Sequence, residues 1–335
     1  MILTTDVKLN LGLSVLRKRP DGYHDIETLF IHCSEYSDTL EVIAGDDYSR
    51  TSASLFAKYG EEGTVQGISP DGKLMVTIAG DGGVDWDPLE DLCAKAYAIL
   101  DKDFGLPPAK IFLEKKVPVG AGLGGGSADA AFTLKALDGL FSLGLDDETL
   151  ARYASRLGSD CAFFIYDRPM VGTGRGEILE PFDIDLSGYE VKVVVPEGIS
   201  VSTREAYGGI IPREKMGKDA PEPLREALRK PVRQWKDFLV NDFESSVFKA
   251  HPELEAIKRS LYDSGAVYAA MSGSGSALFA LYERSWLPGP GPGGPQAVAC
   301  RPGAPCPRTV TTIINKRGSG EKTGFIFKLR GGSIP

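Results

Sequence analysis

The first forty residues alternate between short apolar runs and polar breaks: VKLNLGLSV, a PDGYH break, then IETLFIHC. Alternation with β-branched residues predicts two strands, and Pro20-Asp21-Gly22 predicts the turn between them. Residues 46–73 are polar and dotted with glycine, which predicts a surface excursion. Strand character returns at Leu74–Ile78, and Leu89, Leu92, Ala96 and Ile99 fall at helical spacing. Ile111–Val117 alternates as a strand and runs into PVGAGLGGGSADAA, Pro118 to Ala131. Beyond it, Ala130, Leu134, Leu137 and Phe141 share one helical face. Asp146-Asp147-Glu148 opens another helix with its acids in the first turn, and Gly158 stops it. YEVKVVV, 189–195, reads as a buried strand. Leu224–Arg229, Phe238–Phe248 and Pro252–Asp263 carry helical patterns, and Ala266–Met271 and Ala277–Tyr282 read as strands around SGSGS.

Composition narrows the class. The chain has 335 residues, 42% hydrophobic and 25% charged, which suits a globular protein of two domains. A net charge of −8 argues against non-specific nucleic-acid binding. No apolar run reaches the roughly 20 residues that span a bilayer, and the N-terminus lacks the pattern of a secretory signal. Cys33, Cys93, Cys161, Cys300 and Cys306 are sparse and odd in number, which fits a reducing cytoplasm, and no Cys/His spacing resembles a zinc site. From Leu287 the chain is rich in proline and glycine and carries about +6 against about −14 for the preceding body. Residues 287–335 are therefore expected to form a poorly ordered basic tail.

The candidate chemistry lies in three separated segments. The glycine run comes first: five of its fourteen residues are glycine. Glycine admits positive φ and close approach to the bare backbone, so successive N–H groups can face one anion at a helix start. Ser127 is the expected helix cap. Lys8 and Asn10 lie at period 2 in an apolar strand and share a face. Asp160, after a helix stop and before the apolar CAFFI, is expected to be partly desolvated. Tyr23 and His24 set an aromatic face beside an imidazole, a way to hold a flat base. SGSGS allows tight contact with phosphate or with the glycine run. Each segment has a plainer alternative: a solvated lysine, a turn asparagine, a capping aspartate, a surface histidine, a hairpin turn.

Taken together, DVKLNLGLSVLRKRPDGYH, PVGAGLGGGSADAA, LGSD and MSGSGSALF resemble the GHMP small-molecule kinases, in family order over roughly residues 4–284. Within that superfamily the resemblance is to the branch acting on a cytidine-diphosphate-linked methylerythritol. NDFESSV, Asn241 to Val247, looks like a further family segment. The resemblance implies an α+β fold of two domains with the active site in the cleft between them. We expect an ATP-binding domain over 1–165 and a second domain over 166–286. It also implies ATP-dependent phosphorylation of a 2-hydroxyl in the non-mevalonate route to isoprenoid precursors.

Residue by residue, Lys8 and Asp160 match the catalytic pair. Pro118, Gly120, Ala121, Gly122, Leu123, Gly124, Gly125, Gly126 and Ser127 match the ATP loop. Asn10, Tyr23 and His24, with Thr203 and Tyr207, match substrate contacts, and Ser272–Ser276 match the third motif. Mg²⁺ is expected as the nucleotide's counter-ion, with Ser127 a candidate contact and no protein metal cluster. The partner is the small-molecule substrate, for a cytoplasmic monomer or weak homodimer meeting neither nucleic acid nor membrane. After Tyr282 the pattern departs from the family's closing helix and strand. Another GHMP acceptor (mevalonate, homoserine or a sugar) and a non-catalytic sensor on the same fold are the alternatives.

Overall fold

The computed structural model describes residues 1–81, 83–217 and 220–284; the expectation of a poorly ordered tail over 287–335 lies outside them. Two long strands dominate, β1 (Ile2–Lys18) and β2 (His24–Ala44), paired antiparallel along their length. The turn between them closes where Gly22 N–H donates to Arg19 O and Arg19 N–H to Tyr23 O. β3 (Thr64–Ile68), β4 (Leu74–Gly80), β5 (Ala109–Lys115), β6 (Met170–Thr173) and β7 (Ile178–Pro181) complete a seven-stranded sheet. Its order is β3-β4-β5-β2-β6-β7 with β1 alongside β2, and only β4 and β5 run parallel.

α2 (Leu92–Phe104) and α3 (Gly125–Phe141) pack on this sheet, and α4 (Asp147–Leu157) packs on both helices. Their apolar stripes bury Leu100, Leu134, Leu137 and Leu150 against Val42, Val76, Ile78 and Ile111. Asp146 caps α4 by accepting Thr149 N–H at 2.8 Å. A second sheet, β8 (Tyr189–Val194), β10 (Leu278–Glu283) and β9 (Tyr268–Met271), is antiparallel in the order β8-β10-β9. Val7, Leu9 and Leu11 on β1 share a core with Tyr268, Phe279 and Leu281 of that sheet. One strand therefore serves two domains: its odd positions join the second sheet, and its even positions Lys8 and Asn10 point the other way. The architecture is α+β in two domains, as the resemblance implies.

Three local expectations change. Residues 46–73 are not a mere excursion: α1 (Thr51–Tyr59) and β3 lie there, and Leu55 packs against Ile43, Ala79 and Phe112. One buried apolar position in a polar stretch leaves too weak a period to see. Phe238–Phe248 is not one helix. α7 (Trp235–Phe238) ends there, and after an extended segment α8 (Glu244–Ala250) begins. The buried Asn241 side chain interrupts the helix because it donates to Met271 O and Gly273 O, both at 2.8 Å. Third, the large sheet continues through β6 and β7, so a boundary at 165/166 cuts across it.

The remaining helices are α5 (Thr203–Gly208), α6 (Leu224–Leu228) and α9 (Pro252–Asp263). Where they meet β1, Asp242 takes two bonds from Arg213, at 2.8 and 2.9 Å, and one from Val15 N–H at 2.8 Å. Both side chains are less than a tenth exposed. Removing one partner of a buried ion pair leaves an uncompensated charge. Asp242→Ala should therefore lower unfolding free energy by about 3–5 kcal/mol, read from urea denaturation.

Candidate active site

β1 carries Lys8 and Asn10 inward as neighbours on one face. The Lys8 ammonium donates to Asn10 Oδ1 at 2.6 Å and to Gly122 O at 3.1 Å, and lies 3.2 Å from Asp160 Oδ2. It also sits 5.5 Å from the Phe30 ring centroid. Only 4% of the Lys8 side chain is exposed, against 31% for Asp160. Asn10 is held in turn by its amide, which donates to Thr28 Oγ1 at 3.0 Å. The Asp160 carboxylate is fixed from the far side: the short 3₁₀ turn Cys161–Ile165 that follows it buries Phe163, Phe164 and Ile165. Asp160 is thus half-buried, as its setting between a helix stop and CAFFI predicts.

The glycine loop crosses in front of this pair. Lys8 N–H donates to Leu123 O at 2.9 Å, tying the loop to β1. Gly120, Gly122 and Gly124 line the cleft, while Ala121 and Leu123 turn their side chains into the core shared with the second sheet. Pro118 and Gly126 are exposed and lie outside the cleft wall, and Gly125 is buried against Val117. Ser127 does not cap α3. The cap is Gly124, in the left-handed region, with no side-chain hydrogen bond to the helix start. Gly122 is obligatory on two counts: its φ is +79°, and a Cβ there would stand 2.2 Å from Ser272 O.

The third segment closes from the second domain. Ser272 Oγ donates to Gly122 O at 3.1 Å, and Ala277 N–H to Ala121 O at 3.0 Å. A Cβ on Gly273 would meet Asn10 Oδ1, Gly122 O and Lys8 Nζ at 3.2 to 3.4 Å, so this loop packs onto the ammonium itself. Asn241, holding the carbonyls on either side of Ser272, was visible in the sequence only as part of a family segment.

The cleft has a volume of about 800 Å³ and runs from the glycine loop to an aromatic end. Tyr23, His24, Thr203 and Tyr207 all line it, but Tyr23 and His24 do not act as a pair. His24 stacks on Tyr207, with ring centroids 4.6 Å apart and planes 16° from parallel. Tyr23, more than half exposed, lies under the Arg175 guanidinium at 5.1 Å. Adjacent residues in a turn diverge, so pairing across the cleft is what brings the flat groups together. Burial raises the Tyr207 hydroxyl to about 12, with Asp160 adding to it. Arg175, Phe30 and Ser159 also line the cleft and were missed. The only advance signal for Arg175 was its place between Gly174 and Gly176, both at positive φ.

The profile of the GHMP kinases N terminal domain matches residues 91–168, and that of GHMP kinases C terminal matches 222–285. A 4-diphosphocytidyl-2-C-methyl-D-erythritol kinase from Bacteroides thetaiotaomicron is 43% identical over 284 residues, covering 84% of this chain and 92% of the relative. One from Parabacteroides distasonis is 42% identical over 285 residues, with 85% and 92% covered. The chain belongs to this kinase family. A crystal structure of 4-(cytidine 5'-diphospho)-2C-methyl-D-erythritol kinase aligns with TM-score 0.63 at 32% identity, over 84% of this chain and 90% of that one. A mevalonate kinase structure aligns with TM-score 0.59 at 14% identity, over 85% and 92%, a likeness of fold alone.

As a GHMP kinase the chain is a small-molecule kinase that uses ATP. Among the described residues no group of three or more His, Cys, Asp or Glu is placed to hold a metal ion, and no helix is long and apolar enough to cross a membrane.

Burial and the nearby Lys18 charge lower the His24 pKa below its ordinary value near 6.5. The unfolded chain therefore binds a proton that the folded chain resists, and stability falls as pH drops through that value. NMR titration should put the His24 midpoint below that of a free imidazole, and His24→Ala should flatten this part of the stability–pH curve.

Proposed function

We propose that this kinase transfers the γ-phosphoryl group of ATP to the 2-hydroxyl of 4-diphosphocytidyl-2-C-methyl-D-erythritol. The observation that carries the reading is the buried Lys8 ammonium 3.2 Å from Asp160 at the mouth of the glycine loop. In phosphoryl transfer the protein supplies position and charge rather than covalent chemistry. Asp160 takes the acceptor's hydroxyl proton as the oxygen bonds to the γ-phosphorus and the bond to the leaving ADP oxygen breaks. Lys8 offsets charge on the transferring oxygens. The main-chain N–H groups of the loop, from Gly122 to Ser127, cradle the phosphates, and the start of α3 adds its dipole. Asn10 holds the ammonium in place beside the acceptor.

The substrate half of the cleft supports a base-bearing acceptor. His24 and Tyr207 offer stacked flat faces, Tyr23 and Arg175 a second such surface, and Thr203 a hydroxyl at the start of α5. The names of the relatives, at about 40% identity over most of this chain, favour the cytidine-linked acceptor over mevalonate, homoserine or a sugar. The intact Lys8–Asp160 pair favours an enzyme over a sensor.

Mg²⁺ fits a site with one cleft carboxylate, because it is commonly held by one or two carboxylates together with substrate phosphates and water. The nucleotide's phosphates and water would hold most of the ion, with Ser127 the candidate protein contact. The ion would neutralise phosphate charge. The reading is of a cytoplasmic enzyme, monomer or weak homodimer, meeting neither nucleic acid nor membrane.

Purified protein given ATP, Mg²⁺ and the cytidine-linked acceptor should release ADP; a folded protein that releases none contradicts the proposal. Asp160→Ala should lower kcat by about 10²–10⁴, the usual worth of a positioned base, while ATP binding is largely kept. Stacking on a base is worth roughly 1–3 kcal/mol. Tyr207→Ala or His24→Ala should accordingly raise KM for the cytidine-linked acceptor about tenfold or more and leave KM for ATP alone; an unchanged acceptor KM in both would favour a substrate without a base.

A further inference from the structure

Beneath the glycine loop lies a cluster of charged side chains that the reaction above does not use. Asp38 on β2 and Asp129 in α3 are fully buried, as is Thr5 on β1, and the Lys115 side chain at the end of β5 is only 10% exposed. Asp38 Oδ1 accepts Lys116 N–H at 2.5 Å and Val117 N–H at 2.8 Å, the two amides that leave β5 and start the loop. Its other oxygen pairs with the Lys115 ammonium. That ammonium donates to Asp129 Oδ2 at 2.8 Å, and Asp129 Oδ1 accepts the Thr5 hydroxyl at 2.6 Å. The chain of bonds therefore runs from the first residues of the loop to the helix that ends it. At the same place Val117 packs on Gly125: a Cβ there would meet Val117 Cγ1 at 2.8 Å and Asp38 Oδ2 at 3.5 Å.

Stability alone does not explain this arrangement. A buried ionic cluster is often matched or bettered by apolar residues of similar volume. Apolar residues, however, accept no bond from the Lys116 and Val117 amides, which have left the strand ladder and would be orphaned in the core. Between residues 117 and 125 the loop holds glycines at positive φ, which give it little stiffness of its own. Its middle is held at Ala121, Gly122 and Leu123, and its two ends need anchors of their own.

The geometry points to Thr5, Asp38, Lys115 and Asp129 as a clamp that fixes both ends of the glycine loop and so sets its amides for the phosphates of ATP. These are positioning residues, remote from the cleft wall. The inference rests on the reading of that loop as the nucleotide's cradle, and it is independent of the acceptor.

The test is affinity of the full-length protein for the non-hydrolysable analogue AMP-PNP with Mg²⁺, by calorimetry, beside KM for ATP and for the acceptor. Asp38→Asn weakens the acceptor at the loop's start. The pair Lys115→Met with Asp129→Leu removes the ionic bridge but keeps apolar volume, so the core stays filled if Asp38→Asn does not fold. Both should lose about tenfold or more in nucleotide affinity, since small misplacements of a binding group are costly. Acceptor KM should stay within about twofold.

Glu35→Gln is the control. Glu35 lies on the same strand β2 and accepts Val193 N–H at 2.5 Å, a bond made to neither end of the loop. It should lower Tm without moving nucleotide affinity. Wild-type affinity in the folded clamp variants, or an equal loss in Glu35→Gln, overturns the clamp. A wild-type protein that binds AMP-PNP but phosphorylates no cytidine-linked acceptor counts against the acceptor alone, and one that binds no AMP-PNP overturns clamp and cradle together.

Discussion

A lysine ammonium taken out of water must recover its lost hydration from fixed partners. Lys8 is in that position, with 4% of its side chain exposed. Its partners come from three separate stretches of chain: Asn10 on its own strand, the carbonyl of Gly122 in the glycine loop, and the carboxylate of Asp160 after α4. The face of Phe30 adds a fourth, weaker attraction. Satisfying one buried charge thus brings the elements of the cleft to a common point. The ammonium organises the fold locally and is ready to act on a negatively charged reactant without further reorganisation.

The same strand explains why two domains meet where they do. β1 alternates, so Val7, Leu9 and Leu11 join the second sheet while Lys8 and Asn10 face the loop. Ser272 and Gly273 then pack onto the back of Gly122, where a Cβ would stand 2.2 Å from Ser272 O, and Gly273 holds a positive φ of 56°. A cleft built this way is walled by both domains. Its depth follows from the close approach of backbone to backbone, which only glycine allows.

Much of this was legible before the structure. The glycine run, the period-2 placing of Lys8 and Asn10, and the acid-rich first turn and stop of α4 are local patterns, and local patterns survive folding. The aromatic end was legible in composition but not in pairing. Tyr23 and His24 are adjacent in sequence, yet His24 finds Tyr207 and Tyr23 finds Arg175 across the cleft. Ser127 was read as a cap, but the cap falls at Gly124, whose left-handed backbone starts the helix without a side-chain bond. Arg175, marked only by its flanking glycines, and Asn241, marked only within a family segment, have roles that the sequence does not show, because each acts through partners far away in the chain.

The sequence by itself determined which segments bear chemistry, because strand alternation, helix stripes and glycine runs are set by neighbours a few residues apart. It also carried the family, through motifs whose order and content are specific. Only the tertiary structure decided how those segments meet: that Lys8 and Asp160, 152 positions apart in the chain, close to 3.2 Å, and that Asp38, Lys115 and Asp129 lie beneath the loop. Contacts of that kind are fixed by the need to pair each buried charge and bury each apolar face at once, a condition on the whole chain that no short window contains.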